Sequence, residues 1–146
     1  MNYKYLVLAV MIILSGCSSG EQLKTGFLTT TCIKPFTEYH YHTCNSIKFF
    51  INEDEFEIPA GFETDLASIP KIAWPIMAPA HSSLIRAAIV HDWFYRKTCD
   101  FTRQETDLIF YHMLINDGIS QSRASTMYYA VRLFGWQFYN EDYCDE

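Results

Sequence analysis

The chain has 146 residues, of which 49% are hydrophobic, and it carries 17 acidic against 11 basic residues for a formal net charge of −6. This length suits a single domain with a modest core. The acidic balance argues against nucleic acid as a partner, because proteins that bind nucleic acid need a basic surface.

The first residues have the pattern of an export signal. Lys4 precedes an unbroken apolar run over residues 5–14, which is shorter than the roughly 20 residues that cross a bilayer. The run leads into Leu14-Ser15-Gly16-Cys17, which resembles the bacterial lipobox, where the cysteine receives lipid and becomes the new N-terminus. The alternative is an ordinary cleaved signal that leaves Cys17 unmodified.

The lipobox interpretation predicts that the mature chain is located in the cell envelope. We expect residues 1–16 to be removed and acyl chains such as palmitate to hold Cys17 in a membrane, because each buried methylene contributes roughly 0.8 kcal/mol. Ser18 stands where an aspartate would indicate retention, so in a host with two membranes we expect the outer one, facing the periplasm. Removing the first 16 residues leaves 130, with a formal charge of −7 because Lys4 is the only charged residue lost.

The order of the patterns predicts an α+β fold, with strands first and helices afterwards. Residues 17–25 are interpreted as lipidated N-terminus and linker. Residues 26–146 are interpreted as one globular domain, with a small antiparallel sheet over 26–58, a proline-rich ordered loop over 59–81 and three helices over 82–138.

Individual elements follow from local signals. Runs rich in Phe, Tyr, Thr and Ile predict strands over residues 27–32, 38–44, 47–51 and 55–58. Asn52-Glu53-Asp54 predicts the turn of a hairpin over residues 47–58. Thr102 and Glu105 have the spacing of a capping box at the start of the second helix, and Gly118 is predicted to end that helix.

Four cysteines remain beyond Cys17, an even number in a compartment that permits disulfides. They are Cys32, Cys44, Cys99 and Cys144. Three connectivities are possible. We favour Cys32 with Cys44, which flank a hairpin-like stretch, and Cys99 with Cys144, which would hold the C-terminus. The spacing does not fit a paired zinc site.

Candidate chemistry is concentrated in the first predicted helix. His91 and Tyr95 are four residues apart and share a helix face, whereas Asp92 points about 100° away. If the first two helices form an antiparallel pair, Asp107 meets His91 and fixes its tautomer, which leaves the other ring nitrogen as a base. Asp92 would then be available for a cation.

Two resemblances rest on these residues. His91-Asp92-x-x-Tyr95 with a later aspartate resembles secreted phospholipases of the A-two type. That resemblance implies His91 as base, Asp92 as calcium ligand, Asp107 as the group that orients His91, and Tyr95 as its support. The glycine-rich calcium loop of that family has no counterpart here.

The longer resemblance, over residues 58–136, is to a family of phage and prophage proteins known only as a domain of unknown function. It is carried by Thr64-Asp65-Leu66-Ala67-Ser68-Ile69-Pro70, by the segment from Ala87 to Tyr95, by Asp107, and by the segment from Met127 to Gly135. It implies a phage-related origin and no particular activity. Asp65 and Ser68 have the spacing of a turn or helix cap, and the alternative places one of them in a pocket with His91.

Other candidates have simpler explanations. His40 and His42 share one face of a predicted strand and form a possible metal pair, although ordinary exposed histidines are the favoured interpretation. The aromatic residues near the C-terminus are assigned to core and C-terminal packing, with a carbohydrate or lipid contact as the alternative; they are Phe134, Trp136, Phe138, Tyr139 and Tyr143. A metal-dependent phosphohydrolase of the HD type is disfavoured, because that fold needs a larger helical bundle.

Two functions follow from these observations. The first is a non-catalytic envelope lipoprotein with an envelope or phage protein as partner, which alters the host surface or excludes other phage. In that case a buried polar network locks the helix pair; its members are His91, Asp92, Tyr95, Asp65 and Asp107. The second is a membrane-tethered hydrolase of phospholipid or another envelope ester, with calcium at Asp92.

Overall fold

The computed structural model describes residues 22–38, 40–66, 82–96 and 100–139. Within these ranges, six short strands precede three helices, which confirms the predicted α+β class. The strands are β1 (Thr25–Phe27), β2 (Ile33–Pro35), β3 (Tyr41–Thr43), β4 (Ile47–Ile51), β5 (Asp54–Ile58) and β6 (Glu63–Thr64). The helices are α1 (Ser82–Arg96), α2 (Arg103–Asn116) and α3 (Gln121–Phe134), and a 3-10 turn over Gly135–Phe138 follows α3.

The strands form two antiparallel sheets of three strands each, in the orders β1-β4-β5 and β2-β3-β6. The predicted hairpin is confirmed, since Ile51 pairs with Asp54 across a turn at Asn52 and Glu53. Asn52 has a φ of 56° there, a left-handed conformation that asparagine tolerates better than most residues. This hairpin gives the first sheet its two longest strands.

The strand predicted over residues 27–32 is wrong, because β1 ends at Phe27 and β2 begins only at Ile33. Side chains supply the hydrogen bonds that a strand neighbour would otherwise make. The amide of Lys48 donates to Oγ1 of Thr29, and the amide of Cys32 donates to Oδ1 of Asn45. The backbone therefore bends without leaving these amides unpaired.

The segment predicted as loop from residue 59 also needs a correction at its start. Glu63 and Thr64 form β6, which pairs with His42 and Tyr41 of β3. Alternation over two residues is too short to be recognised as a strand. The strand places Thr64, whose side chain is fully buried, beside the helices.

Apolar side chains of the first sheet pack against the helices to form the core. Ile47, Phe49 and Ile58 are completely buried. The ring of Phe94 on α1 meets Phe49 and Phe56 edge-on, with ring centroids 5.9 and 5.6 Å apart, an arrangement that aromatic pairs favour. These contacts fix α1 over the hairpin.

The ends of α2 follow the sequence signals. Oγ1 of Thr102 accepts from the amide of Glu105 while the Glu105 carboxylate accepts from the amide of Thr102, so the predicted capping box is confirmed. At the other end Gly118 has a φ of 93°, which glycine adopts without strain. α2 therefore stops before Gly118, and the chain turns into α3.

Several predictions lie outside the described residues: the export signal, Cys17, most of the proline-rich segment, Ser68, Cys99 and Cys144. The Sγ atoms of Cys32 and Cys44 lie at bonding distance, with Cα atoms 5.2 Å apart. None of the described helices has the length and apolarity needed to cross a membrane.

Candidate functional site

The carboxylate of Asp107 joins the three helices. Its Oδ1 atom lies 2.8 Å from Nε2 of His91 and also accepts the hydroxyl of Tyr95, both on α1. Its Oδ2 atom accepts from the guanidinium of Arg132 on α3 at 2.8 Å. His91 and Tyr95 reach the same carboxylate because they lie one turn apart on one face of α1. We call these four residues the Asp107 cluster.

The Asp107 cluster is sealed from solvent on the side of α1 and α2. His91, Tyr95 and Asp107 are 1%, 2% and 0% exposed, respectively. The ring of His91 packs on Tyr95 at 4.0 Å between centroids and on Phe110 at 5.1 Å. A substrate therefore has no open path to the imidazole in this conformation.

Hydrogen bonding sets the ionisation of Asp107. Burial raises the pKa of this carboxyl, but the hydrogen bonds from His91, Tyr95 and Arg132 outweigh burial and place the pKa below its ordinary value. The ionised carboxylate only accepts hydrogen bonds, so we assign the proton facing it to Nε2 of His91.

Tyr95 and Arg132 keep their protons in this arrangement. Burial, reinforced by the neighbouring Asp107 carboxylate, raises the pKa of Tyr95 well above its ordinary range. The hydrogen bond to Asp107 likewise raises the pKa of Arg132. Both groups therefore serve as permanent donors to Asp107 and are poorly suited to exchange protons with a substrate.

The second ring nitrogen of His91, unlike the other polar atoms of the Asp107 cluster described above, has no hydrogen-bond partner there. Its Nδ1 atom is buried and has no hydrogen-bond partner in the part of the chain that the structure describes. An unpaired buried acceptor costs about 1 to 3 kcal/mol. A His–Asp pair with the outer nitrogen free is also the arrangement that a general base requires.

Asp92 belongs to a different contact, as its position 100° around α1 implies. It is fully buried, and its Oδ2 atom accepts the hydroxyl of Thr64 at the end of β6. This bond ties α1 to the second sheet. The described ranges contain no group of three or more His, Cys, Asp or Glu side chains arranged to hold a metal, so calcium at Asp92 stays a prediction.

Asp65, His40 and His42, the remaining candidates within the described residues, bind other partners. Oδ1 of Asp65 accepts from the guanidinium of Arg96 at 2.7 Å, which joins the end of β6 to the end of α1. Nδ1 of His40 lies 2.8 Å from Oε1 of Glu63 at the surface, and the ring of His42 stacks on Phe36. Neither histidine is near the Asp107 cluster in the described contacts.

Sequence reasoning missed Arg132 and Thr64 as partners of the two aspartates. Both lie inside the motifs that carry the family resemblance. The available signal was chemical: a buried Asp107 needs a cationic or donor partner, and α3 offers a single arginine, Arg132, in its last two turns.

The assignment of the C-terminal aromatic residues to the core is wrong for three of them. Phe134, Trp136 and Phe138 are 47%, 67% and 44% exposed. They lie at the end of α3 and in the 3-10 turn, where the chain leaves the packed part of the helix. Tyr139 does pack inward, with its ring 5.2 Å from that of Tyr95, and Tyr143 lies outside the described residues.

Comparison with known proteins places this site within a family. No solved structure matches the chain. In Sinorhizobium fredii (strain NBRC 101917 / NGR234), the uncharacterized protein y4iH is 38% identical over 77 residues, which cover 50% of this chain and 30% of y4iH. The uncharacterized protein y4jT of the same organism is 32% identical over 82 residues, which cover 56% of this chain and 24% of y4jT.

The chain thus spans less than a third of the length of either relative. A family model described as "Protein of unknown function (DUF1353)" matches residues 41–131. This match runs from β3 to the third turn of α3 and includes His91, Asp92, Tyr95 and Asp107, whereas Arg132 lies one residue beyond it. The chain therefore belongs to the DUF1353 family.

Proposed function

We propose that this chain is an exported lipoprotein of phage or prophage type, anchored by lipid on Cys17, whose folded domain acts in the cell envelope by binding rather than by catalysis. Its role is to alter the host surface or to exclude other phage. The pattern Leu14-Ser15-Gly16-Cys17 supports the anchor. In a host with two membranes, the domain faces the periplasm from the outer one.

The burial of the Asp107 cluster carries the non-catalytic part of this proposal. His91 and Asp107 are at most 1% exposed, and Asp107 on α2 is held by donors from α1 and α3. A buried carboxylate with charge-assisted bonds to two other helices acts as a lock on their packing. The main effect of replacing His91 should therefore be a lower free energy of unfolding.

Metabolic labelling with palmitate tests the anchor in cells that express the full chain. The wild-type protein should take up label and sediment with membranes, and Cys17→Ser should do neither. Cys32→Ser is the matched control, because it also removes one cysteine and should keep the label. An equally labelled Cys17→Ser protein would contradict the anchor.

A phage challenge tests the role in the envelope. Cells that make the lipidated chain should resist at least one phage of a panel that infects the empty-vector strain, and cells that make Cys17→Ser should not. The role would be contradicted by a strain that carries the chain in its membranes, stays fully sensitive to every phage, and has the same cell surface as the empty-vector strain.

A second candidate function is a His–Asp hydrolase of phospholipid or another envelope ester, and the unpaired Nδ1 atom of His91 favours it. In that case His91 is the base, Asp107 orients it, Tyr95 supports it and Asp92 holds calcium. Opening of the covering side chains would be needed to admit a substrate.

The variant His91→Gln separates the two candidates, because the glutamine amide keeps a donor near the position of Nε2 but supplies no base. Phospholipid hydrolysis with calcium and the melting temperature are measured together. If the chain is a binding protein, the wild type should show no phospholipid hydrolysis above background. Hydrolysis that His91→Gln abolishes at an unchanged melting temperature would establish the enzyme.

A further inference from the structure

A band of large apolar side chains is exposed on α3 and the 3-10 turn that follows it. Tyr129, Leu133 and Trp136 are 62%, 66% and 67% exposed. Tyr129 and Leu133 are four residues apart and share a face of α3, and Trp136 follows three residues later in the 3-10 turn. With Phe134 and Phe138, which are 47% and 44% exposed, they form what we call the aromatic surface. Contiguous exposed apolar side chains mark contact sites on soluble domains.

The charge of this part of the chain differs from that of the rest. No aspartate or glutamate occurs between Asp117 and Glu141, and the two charged residues in that interval are Arg123 and Arg132. The whole chain, in contrast, has a formal net charge of −6. α3 and the 3-10 turn therefore carry no carboxylate that anionic phosphate groups would repel.

The start of the domain lies close to the proposed anchor. Leu23 packs against the core, and its carbonyl accepts from the Asn116 side chain at 2.9 Å. Six peptide units separate Leu23 from Cys17, a reach of about 20 Å at most. If Cys17 is lipidated, the bilayer surface is never farther than that from this end of the domain.

The orientation of α3 fits the same geometry. Leu23 is held at the end of α2 that precedes α3, whereas the aromatic surface lies toward the other end of α3. The 14 residues of α3 span about 21 Å. This length is close to the reach of the tether, so an anchor at Cys17 is long enough to let α3 lie along the membrane, as interfacial helices do.

We propose that the aromatic surface lies in the headgroup region of the phospholipid membrane that carries the lipid anchor. This inference rests on the proposed function, because it needs the anchor at Cys17. Trp and Tyr side chains favour this region, where an apolar ring and a polar tip are both accommodated. The surface adds a second contact to the anchor and sets which face of the domain points away from the membrane.

Fluorescence of Trp136 in membranes tests the inference. The full chain with Trp74→Phe and Trp93→Phe retains Trp136 as its single tryptophan. The protein is reconstituted into vesicles of phosphatidylethanolamine and phosphatidylglycerol, with or without bromine on the acyl chains. We expect emission from Trp136 to shift to shorter wavelength and to fall by about half in the brominated vesicles, because an interfacial indole lies near the quencher.

Two further variants refine the test. Leu133→Ser in the same background should reduce the quenching of Trp136, because it removes an apolar neighbour from the contact. Leu28→Ser is the matched control, since Leu28 is 50% exposed on the sheet side of the molecule and should leave quenching unchanged. Equal effects of the two substitutions would overturn the inference.

Flotation of the same samples distinguishes the possible failures. Protein that floats with the vesicles while Trp136 stays unquenched would overturn the membrane contact and leave the anchor intact. Protein that does not float would overturn both the anchor and the contact. A blue shift of Trp136 that depends on protein concentration and is insensitive to bromine would overturn the contact in favour of a second copy of the chain.

Discussion

The hydroxyl of Tyr95 lies directly against Gly135, at the point where α3 passes into the 3-10 turn. A Cβ atom placed on Gly135 would lie 2.9 Å from that hydroxyl oxygen and 3.4 Å from a ring carbon of Tyr95. The φ of Gly135 is −72°, which any residue adopts, so space rather than backbone conformation demands glycine here. The close approach keeps Tyr95 in place to donate to Asp107.

Gly135→Ala should therefore destabilise the protein by about 1 to 3 kcal/mol, the usual cost of overpacking. Urea unfolding measures this free energy. Adding Tyr95→Phe removes the clashing hydroxyl, so the double variant should be less destabilised than the sum of the two single variants. Wild-type stability of Gly135→Ala would contradict the tight packing of Tyr95 on Gly135.

Removing the charge of Asp107 should lower the free energy of unfolding more than removing a surface charge does. Asp107→Asn removes the negative charge and replaces one of the two acceptor oxygens by an NH2 donor, so the remaining oxygen cannot accept from His91, Tyr95 and Arg132 together. We therefore expect a loss of about 3 kcal/mol in the free energy of unfolding. Glu57→Gln is the control, because its pair with Lys48 is half exposed at 3.7 Å and should cost less than about 1 kcal/mol. Equal losses in the two variants would contradict the role of Asp107.

The contribution of Asp107 should depend on pH. Burial raises the pKa of Asp107, but its three hydrogen-bond donors lower the pKa by more than burial raises it. The folded-state pKa therefore lies below the unfolded value of about 3.9. A depressed pKa contributes stability that is present above about pH 4 and is lost as the pH falls through the folded-state value. The difference in unfolding free energy between wild type and Asp107→Asn should therefore be constant near neutral pH and shrink below about pH 4. A difference that grows on acidification would contradict this sign.

The contact between Thr64 and Asp92 should also be measurable. Thr64→Val keeps the shape of the side chain and removes the hydroxyl that donates to the buried carboxylate, so we expect a loss of about 1.5 to 3 kcal/mol. Thr126→Val is the control, because Thr126 is exposed on α3 and bonds only its own helix. If both variants unfold at the same urea concentration, the Thr64 bond does not hold α1 to the second sheet.

The sequence was most informative where a signal is local. The Thr102–Glu105 capping box, the Asn52 turn and the shared face of His91 and Tyr95 depend on spacings within a few residues, and each has the predicted geometry. The meeting of His91 with Asp107 needed one further assumption, that α1 and α2 run antiparallel.

Contacts between distant segments were less accessible from the sequence. Arg132 and Thr64 are 25 and 28 residues from the aspartates that they bind, and no spacing rule links such positions. The aromatic residues after Leu133 were assigned to the core because aromatic side chains usually pack there. The end of α3 instead leaves Trp136 at the surface, which depends on where the helix stops relative to its neighbours.

The accessibility of His91 tests the central claim, that the Asp107 cluster is a sealed lock rather than an open active site. Reaction of the native protein with diethyl pyrocarbonate, followed by mass spectrometry of its peptides, compares His91 with His40, whose side chain is 45% exposed. We predict that His40 is modified rapidly and that His91 is modified only when the protein unfolds. Modification of His91 at the rate of His40 in the folded protein would contradict the claim.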